Sequence, residues 1–154
     1  MKKGDHVHIT WIDTYDPQIP SWADDDQIAE AIANRKGESM KRVYVAGAYS
    51  ADNVLDVLKN IGRGEDMATK LFILGFAPFC PWHDKDYIIR RPDKTYTVQM
   101  FYDYSMAWLD VSDAVFVLPN SEKSKGTQKE LDRALELGIP IFDNIPALVM
   151  WGCK

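Results

Sequence analysis

The sequence predicts a doubly wound α/β domain built on a parallel sheet. Short apolar runs, RVYVA at 42–46, FAPFC at 76–80, AVFVL at 114–118 and IPIF at 139–142, read as strands buried on both faces. Stretches with apolar residues at helical spacing separate them, as right-handed βαβ crossovers require. The joints between the two carry Gly, Ser, Asn and Pro, the residues of turns and helix ends.

Each element has its own justification. Arg42 to Ala46 is the first strand, followed by the loop Gly47-Ala-Tyr-Ser50. Asn53 or Asp52 can cap the next helix, in which Val54, Val57, Leu58, Ile61, Ala68, Leu71 and Phe72 recur at helical spacing. Gly62 and Gly64 weaken that helix midway and predict a kink or break, and Gly75 ends it. Phe76 to Cys80 is the second strand. The connection Pro81 to Thr97, with WHDKDY and RRPDK, is too polar for a core element and reads as a functional or mobile loop. A helix from Val98 to Asp110 carries Val98, Phe101, Tyr102, Ser105, Trp108 and Leu109 on one face, and Phe101, Trp108 and Phe116 are assigned to the core. The strand Ala114 to Leu118, the helix Gln128 to Leu137 closed by Gly138, and the strand Ile139 to Phe142 complete the domain, taken as residues 40–154.

Residues 1–39 differ in character. Val7, Ile9 and Trp11 alternate with His6, His8 and Thr10 as in a half-buried strand, and Asp24 to Asp26 precede a short helix. This segment is expected to be a small strand–helix appendage. His6 and His8 share a strand face but have no third ligand nearby, so a solvent-facing role is expected and no metal is implied.

Composition excludes several classes of function. A chain of 154 residues with 46% apolar and 27% charged content is one soluble-type domain. A net charge of −5 without a basic run argues against a polymeric nucleic acid partner. Cys80 and Cys153 give neither a metal spacing nor a disulfide framework, which fits a reducing cytoplasm. No signal-peptide pattern and no apolar run of membrane-spanning length occurs, so no membrane association is expected.

The chemistry concentrates in Ser112 to Phe142. In parallel sheets ligands bind where a strand's carboxyl end turns into the next helix. Here that turn holds Ser121, Ser124, Gly126 and Thr127, with Glu130 one turn further on. Hydroxyls and free N–H groups at a helix start suit a phosphate, and a carboxylate beyond them suits chemistry on what the phosphate carries. Thr127-x-x-Glu130 is equally a capping box, which would engage the carboxylate structurally. Ser121 and Ser124 can also be ordinary loop serines.

The order YVAG after the first strand, F-x-P-F-x-P at the second, AWLDVSDAVFVLP, and then S-K-G-T-Q-K-E-L-D-R-A resembles the nucleoside 2-deoxyribosyltransferase superfamily. The similarity is greatest to its small, often phage-encoded branch, and the superfamily includes the 2-deoxynucleoside 5-phosphate N-hydrolases. It covers about residues 41 to 143 and implies a flavodoxin-like, Rossmann-like fold without metal or organic cofactor. Glu130 then matches the nucleophile, attacking the anomeric carbon to form a covalent glycosyl-enzyme intermediate. Ser124 matches the serine of the phosphate-specific hydrolases, where the nucleoside transferases have an aspartate, so a nucleoside 5′-monophosphate is implied. Gly126 and Thr127 complete the phosphate cradle, and Gly47, Tyr49 and Ser50 form the sugar-side loop. The family's aspartate on the third helix corresponds to Ser105, a departure. Asp103 points towards solvent and does not replace it, which leaves Asp84, near His83 and Asp86, as the candidate general acid. Arg90 and Arg91 can reach a phosphate from the long loop, or be surface charge. The resemblance also implies a homo-oligomer acting in the cytoplasm.

Two other readings fit the same residues. G-T-x-x-E after a Leu-Pro pair also resembles the phosphoribohydrolases that release a base from a nucleoside monophosphate, although their P-G-G-x-G-T pattern is richer in glycine than Pro119 to Thr127. A nucleotide-binding or sequestering protein would use the same pocket without turnover, and Ser105 is the feature that favours it.

Overall fold

A computed structural model describes residues 39–153. The strand and helix expected within residues 1–39, with His6 and His8, lie outside the described residues. In chain order the elements are β1 (Arg42–Ala46), α1 (Val54–Ile73), β2 (Ala77–Phe79), a 3-10 turn (Pro81–Asp84), α2 (Lys85–Arg90), α3 (Val98–Leu109), β3 (Ala114–Val117), α4 (Lys125–Leu137), β4 (Ile141–Phe142) and α5 (Ile145–Gly152). Among the described residues the four strands are all parallel, in the order β2-β1-β3-β4. The chain runs from β1 outward to β2 and then returns past β1 to β3. The topological switch point, where such folds bind ligands, therefore lies between β1 and β3.

Alternation along the strands divides the core into two layers. Val43, Val45, Ala114 and Phe116 face α1 and α5, meeting Ile61, Met67, Leu71, Trp82 and Leu148. Tyr44, Ala46 and Val115 face the opposite way, towards Leu109 of α3 and Ala134 of α4. The sheet is thus covered on both faces, as the sequence predicts.

Helix ends follow local chemistry. The Asn53 side chain accepts from the Asp56 N–H at 2.9 Å and starts α1. Gly138, at φ 69°, closes α4 in the left-handed conformation that glycine adopts without penalty.

Four expectations need correction. α1 is continuous through Gly62 and Gly64. Gly64 instead makes room for Trp82, whose ring atoms would lie 2.2–2.5 Å from an added Cβ. The connection after β2 is partly helical, with Pro81 starting the 3-10 turn and Trp82 fully buried, so it does contribute to the core. Within it the Tyr96 hydroxyl lies 3.0 and 2.8 Å from the carbonyl oxygens of Tyr87 and Arg91, which ties the return segment down. Trp108, expected in the core beside Phe116, is 49% exposed. It stacks on Phe79 of β2, the edge strand among the described residues. Finally, α4 begins at Lys125, three residues before the expected start, and α5 follows β4. The signal for α5 was present: Asn144 caps it, Pro146 sits in its first turn, and Ile145, Leu148 and Val149 make its buried stripe.

Candidate active site

The early start of α4 settles the role of its first turn. Ser124 is the N-cap, its Oγ accepting from the Thr127 N–H at 3.3 Å and from the Thr127 hydroxyl at 2.9 Å. Thr127 is therefore the third helical residue, and Glu130 lies three positions too deep to form a capping box. Glu130 falls instead on the inward stripe with Thr127, Leu131 and Ala134.

There its carboxylate meets β1. The Tyr44 hydroxyl donates to Glu130 Oε1 at 2.7 Å, and Tyr44 itself is completely buried. Burial pushes the Glu130 carboxyl up to about 7, with the Tyr44 hydrogen bond pulling the other way. Burial also raises the Tyr44 phenol, as does the Glu130 charge, while a hydrogen bond from Ser105 opposes the rise. Ser105, buried on the inner face of α3, is thus the third member of this cluster.

A second carboxyl stands close by. Asp84, buried at the junction of the 3-10 turn and α2, has its carboxyl raised by burial, against which the Tyr49 hydroxyl bond acts. Tyr49 is pushed up to about 12 by its own burial and then by Asp84. Asp84 also acts electrostatically on Tyr44 and on Tyr104. Glu130 thus bonds Tyr44 directly, and Asp84 acts on the same phenol through its charge.

The loop Gly47 to Ser50 is held from below. The Trp82 indole N–H donates to the Ala48 carbonyl at 3.3 Å, and Asn60 Nδ2 donates to the Tyr49 carbonyl at 3.2 Å. A Cβ on Gly47 would stand 2.8 Å from Leu118 and 3.1 Å from Trp82, so the glycine serves close packing. Ser50 is exposed and faces a cleft of about 470 Å³, whose walls also include Asn60, Lys59, Arg63, Lys123 and Ser124.

The other expected site residues fall out as follows. Ser121 is buried and its hydroxyl donates to the Leu118 carbonyl at 2.8 Å, so that proton is engaged within the loop. Gly126 lies in the first turn of α4 opposite Tyr102, where an added Cβ would make ordinary contact at 3.5 Å. Arg91 pairs with Asp93 at 2.7 and 2.8 Å, and Arg90 is exposed. Asp103 is exposed and accepts from Gln99. Among the described residues no cluster of three or more His, Cys, Asp or Glu can hold a metal ion, and no helix is long and apolar enough to cross a membrane.

Sequence reasoning missed Tyr44, Phe79 and Tyr104, which line one side of the carboxylate cluster. Phe79 stacks on Tyr44 at 5.4 Å and packs against Tyr104 at 5.7 Å. The available signal was Tyr44 itself: a phenol in the middle of a buried strand needs a hydrogen-bond partner, and a carboxylate on the facing helix is one.

Removing the Tyr44 hydroxyl has a definite expected result. Tyr44→Phe withdraws the bond that favours the ionised Glu130, so the carboxyl rises further and the acid limb of any Glu130-dependent rate moves to higher pH. A pH–rate profile of the variant should show about a tenfold loss at neutral pH, partly recovered in alkali. A uniform loss at every pH would mean that Tyr44 acts by packing alone.

A protein family described as a domain of unknown function (DUF4406) matches residues 68–143, from the second half of α1 to just past β4. That is just under half of the chain. No curated protein matches. Among solved structures, a 2-deoxyribosyltransferase from the psychrotolerant bacterium Bacillus psychrosaccharolyticus is similar, with 15% identity and a TM-score of 0.45 over 72% of this chain and 81% of that one. Similarity at this level transfers no residue role, and the chemistry rests on the side chains of this chain.

Proposed function

We propose that this protein cleaves or transfers the N-glycosidic bond of a nucleoside 5′-monophosphate, with deoxyribose the favoured sugar, through a covalent intermediate on Glu130. The observation that carries the reading is the Tyr44–Glu130 pair: a half-buried carboxylate, poised near neutrality, at the switch point of a parallel sheet. A carboxylate engaged in capping or in a surface ion pair would have its charge satisfied locally. This one has a single neutral donor and retains lone pairs for attack.

The steps balance with two carboxyl groups. Glu130, ionised, forms a bond to C1′ as the C1′–N bond breaks, and the electron pair leaves with the base. Asp84, whose burial favours its protonated form, delivers the proton to the departing base. Water, or the nitrogen of a second base, then attacks C1′ and releases Glu130, with Asp84 taking up the proton. Configuration is retained over the two displacements. Tyr44 orients the nucleophile and limits the rise in its pKa, and Ser105 supports the phenol rather than supplying a second carboxylate.

The test is chromatographic. Wild-type protein incubated with a panel of ribo- and deoxynucleoside 5′-monophosphates is expected to release free base, and an acid-quenched sample should carry a sugar-phosphate adduct on the Glu130 peptide by mass spectrometry. No base from any substrate, with nucleotide binding intact, would replace this reading with a nucleotide-binding protein.

A further inference from the structure

We propose that the cleft between α1 and the β3–α4 loop is the phosphate-recognition site, in which Lys59, Arg63 and Lys123 read the 5′-phosphate of the nucleotide. The inference rests on the glycosidic reading above for its substrate, and on the cleft alone for its chemistry. It assigns the phosphate chiefly to side-chain cations on two separate elements, with the start of α4 in a supporting role.

Position is the first argument. The cleft draws Ala48, Ser50 and Ala51 from the loop after β1 and Asn120, Lys123 and Ser124 from the loop after β3. These are the two loops that flank the switch point, and α1 closes the third side with Asp56, Lys59, Asn60 and Arg63. Its volume of about 470 Å³ is that of a small-ligand site.

Charge is the second. Three cations and one carboxylate line the cleft, a local positive excess in a chain of net charge −5. Asp56 offsets only part of it: its Oδ1 pairs with Lys59 Nζ at 3.6 Å, which leaves Arg63 and Lys123 as the surplus. Arg63 uses Nη1 to reach Asn60 Oδ1 at 3.3 Å, which leaves its other donors for a bidentate grip on phosphate oxygens. A phosphate monoester, with charge between −1 and −2 at neutral pH, matches the surplus.

Donor direction is the third. Ser124 Oγ already accepts from both the N–H and the hydroxyl of Thr127, so its own proton is left to donate to a ligand in the cleft it lines. Asn120, a non-glycine residue in the left-handed region at φ 62°, turns the chain at the mouth of the same cleft. Such a conformation is unusual, and asparagine is among the residue types that tolerate it. Ser124 and Glu130 are six residues apart, about 9 Å along the axis of α4.

The experiment separates this site from the reaction. Full-length protein carrying Glu130→Gln, so that ligand persists, is titrated calorimetrically with deoxynucleoside 5′-monophosphates and the matching nucleosides at about 50 mM salt, where screening is weak. The monophosphate is expected to bind at least about tenfold more tightly than the nucleoside. Lys59→Ala, Arg63→Ala and Lys123→Ala should each weaken monophosphate binding about tenfold and narrow that gap, with a shallower salt dependence. If an alanine variant loses its melting transition, the glutamine variant at the same position takes its place. Equal affinity for nucleotide and nucleoside, absence of nucleotide binding, or a gap that survives all three substitutions would overturn the proposal. A gap abolished by the substitutions, together with no base release by the wild type, would leave the phosphate site standing and remove the glycosidic reading.

Discussion

Glu130→Gln is expected to lose at least about 10³-fold in base release while making the folded protein more stable above neutrality. The two effects share one cause. Burial holds the Glu130 carboxyl at about 7 in the folded chain, against an ordinary value of 4.5. The native state therefore binds this proton more tightly than the unfolded state. That stabilisation is fully present below about pH 4.5 and is lost as pH rises through about 7. In alkali the folded protein must keep a charged carboxylate in a poorly solvated position, at a cost of at most about 3 kcal/mol. Glutamine keeps the shape and the acceptor for Tyr44 and carries no charge. Melting temperatures at about pH 5 should nearly coincide, and at about pH 8.5 the variant should melt several degrees higher. A capping role for Glu130 predicts the reverse, a loss of stability at every pH. A nucleophile that must be ionised also predicts a rate that climbs with pH to a midpoint near 7.

The layout of the domain was legible because its strands are buried on both faces. After Arg42, VYVA is buried without a break, and AVFV is apolar throughout, a pattern that half-exposed strands do not show. The polar joints between strand and helix also marked the helix starts, among them that of α4 near Ser124. What the sequence concealed depends on contacts across long separations. Trp82, followed by His83, Asp84 and Lys85, reads as the start of a polar loop, because the space it fills is made by the distant Gly47 and Gly64. The choice between capping and an inward role for Glu130 turned on where α4 starts, a matter of three residues, and boundaries are the weakest product of periodicity. Lys59 and Arg63 were invisible as site residues because they belong to a helix read for its apolar stripe. Their polar face matters only once the β3–α4 loop comes down beside it.

The two glycines of α1 should respond to alanine with opposite signs. By helix propensity alone, either substitution gains up to about 1 kcal/mol. Gly62 has nothing within 4 Å of the position an added Cβ would take, so Gly62→Ala should stabilise by about 0.5–1 kcal/mol. At Gly64 the Cβ would stand 2.2, 2.3 and 2.5 Å from Cε3, Cδ2 and Cζ3 of the Trp82 ring. That ring is buried and wedged on its far edge against Gly47, so it cannot swing aside as a surface side chain would. Overpacking of this kind costs about 1–3 kcal/mol and outweighs the propensity gain. Function should suffer with it. Trp82 holds the Ala48 carbonyl through its indole N–H and lies two residues before Asp84, so a displaced ring disturbs both the Gly47 to Ser50 loop and the proposed acid. Urea denaturation of the two variants beside the wild type measures the first effect, and base release at fixed protein concentration measures the second. If Gly64→Ala stabilises as Gly62→Ala does, the tryptophan does not rest on α1, and the account of how the Gly47 to Ser50 loop is held fails with it.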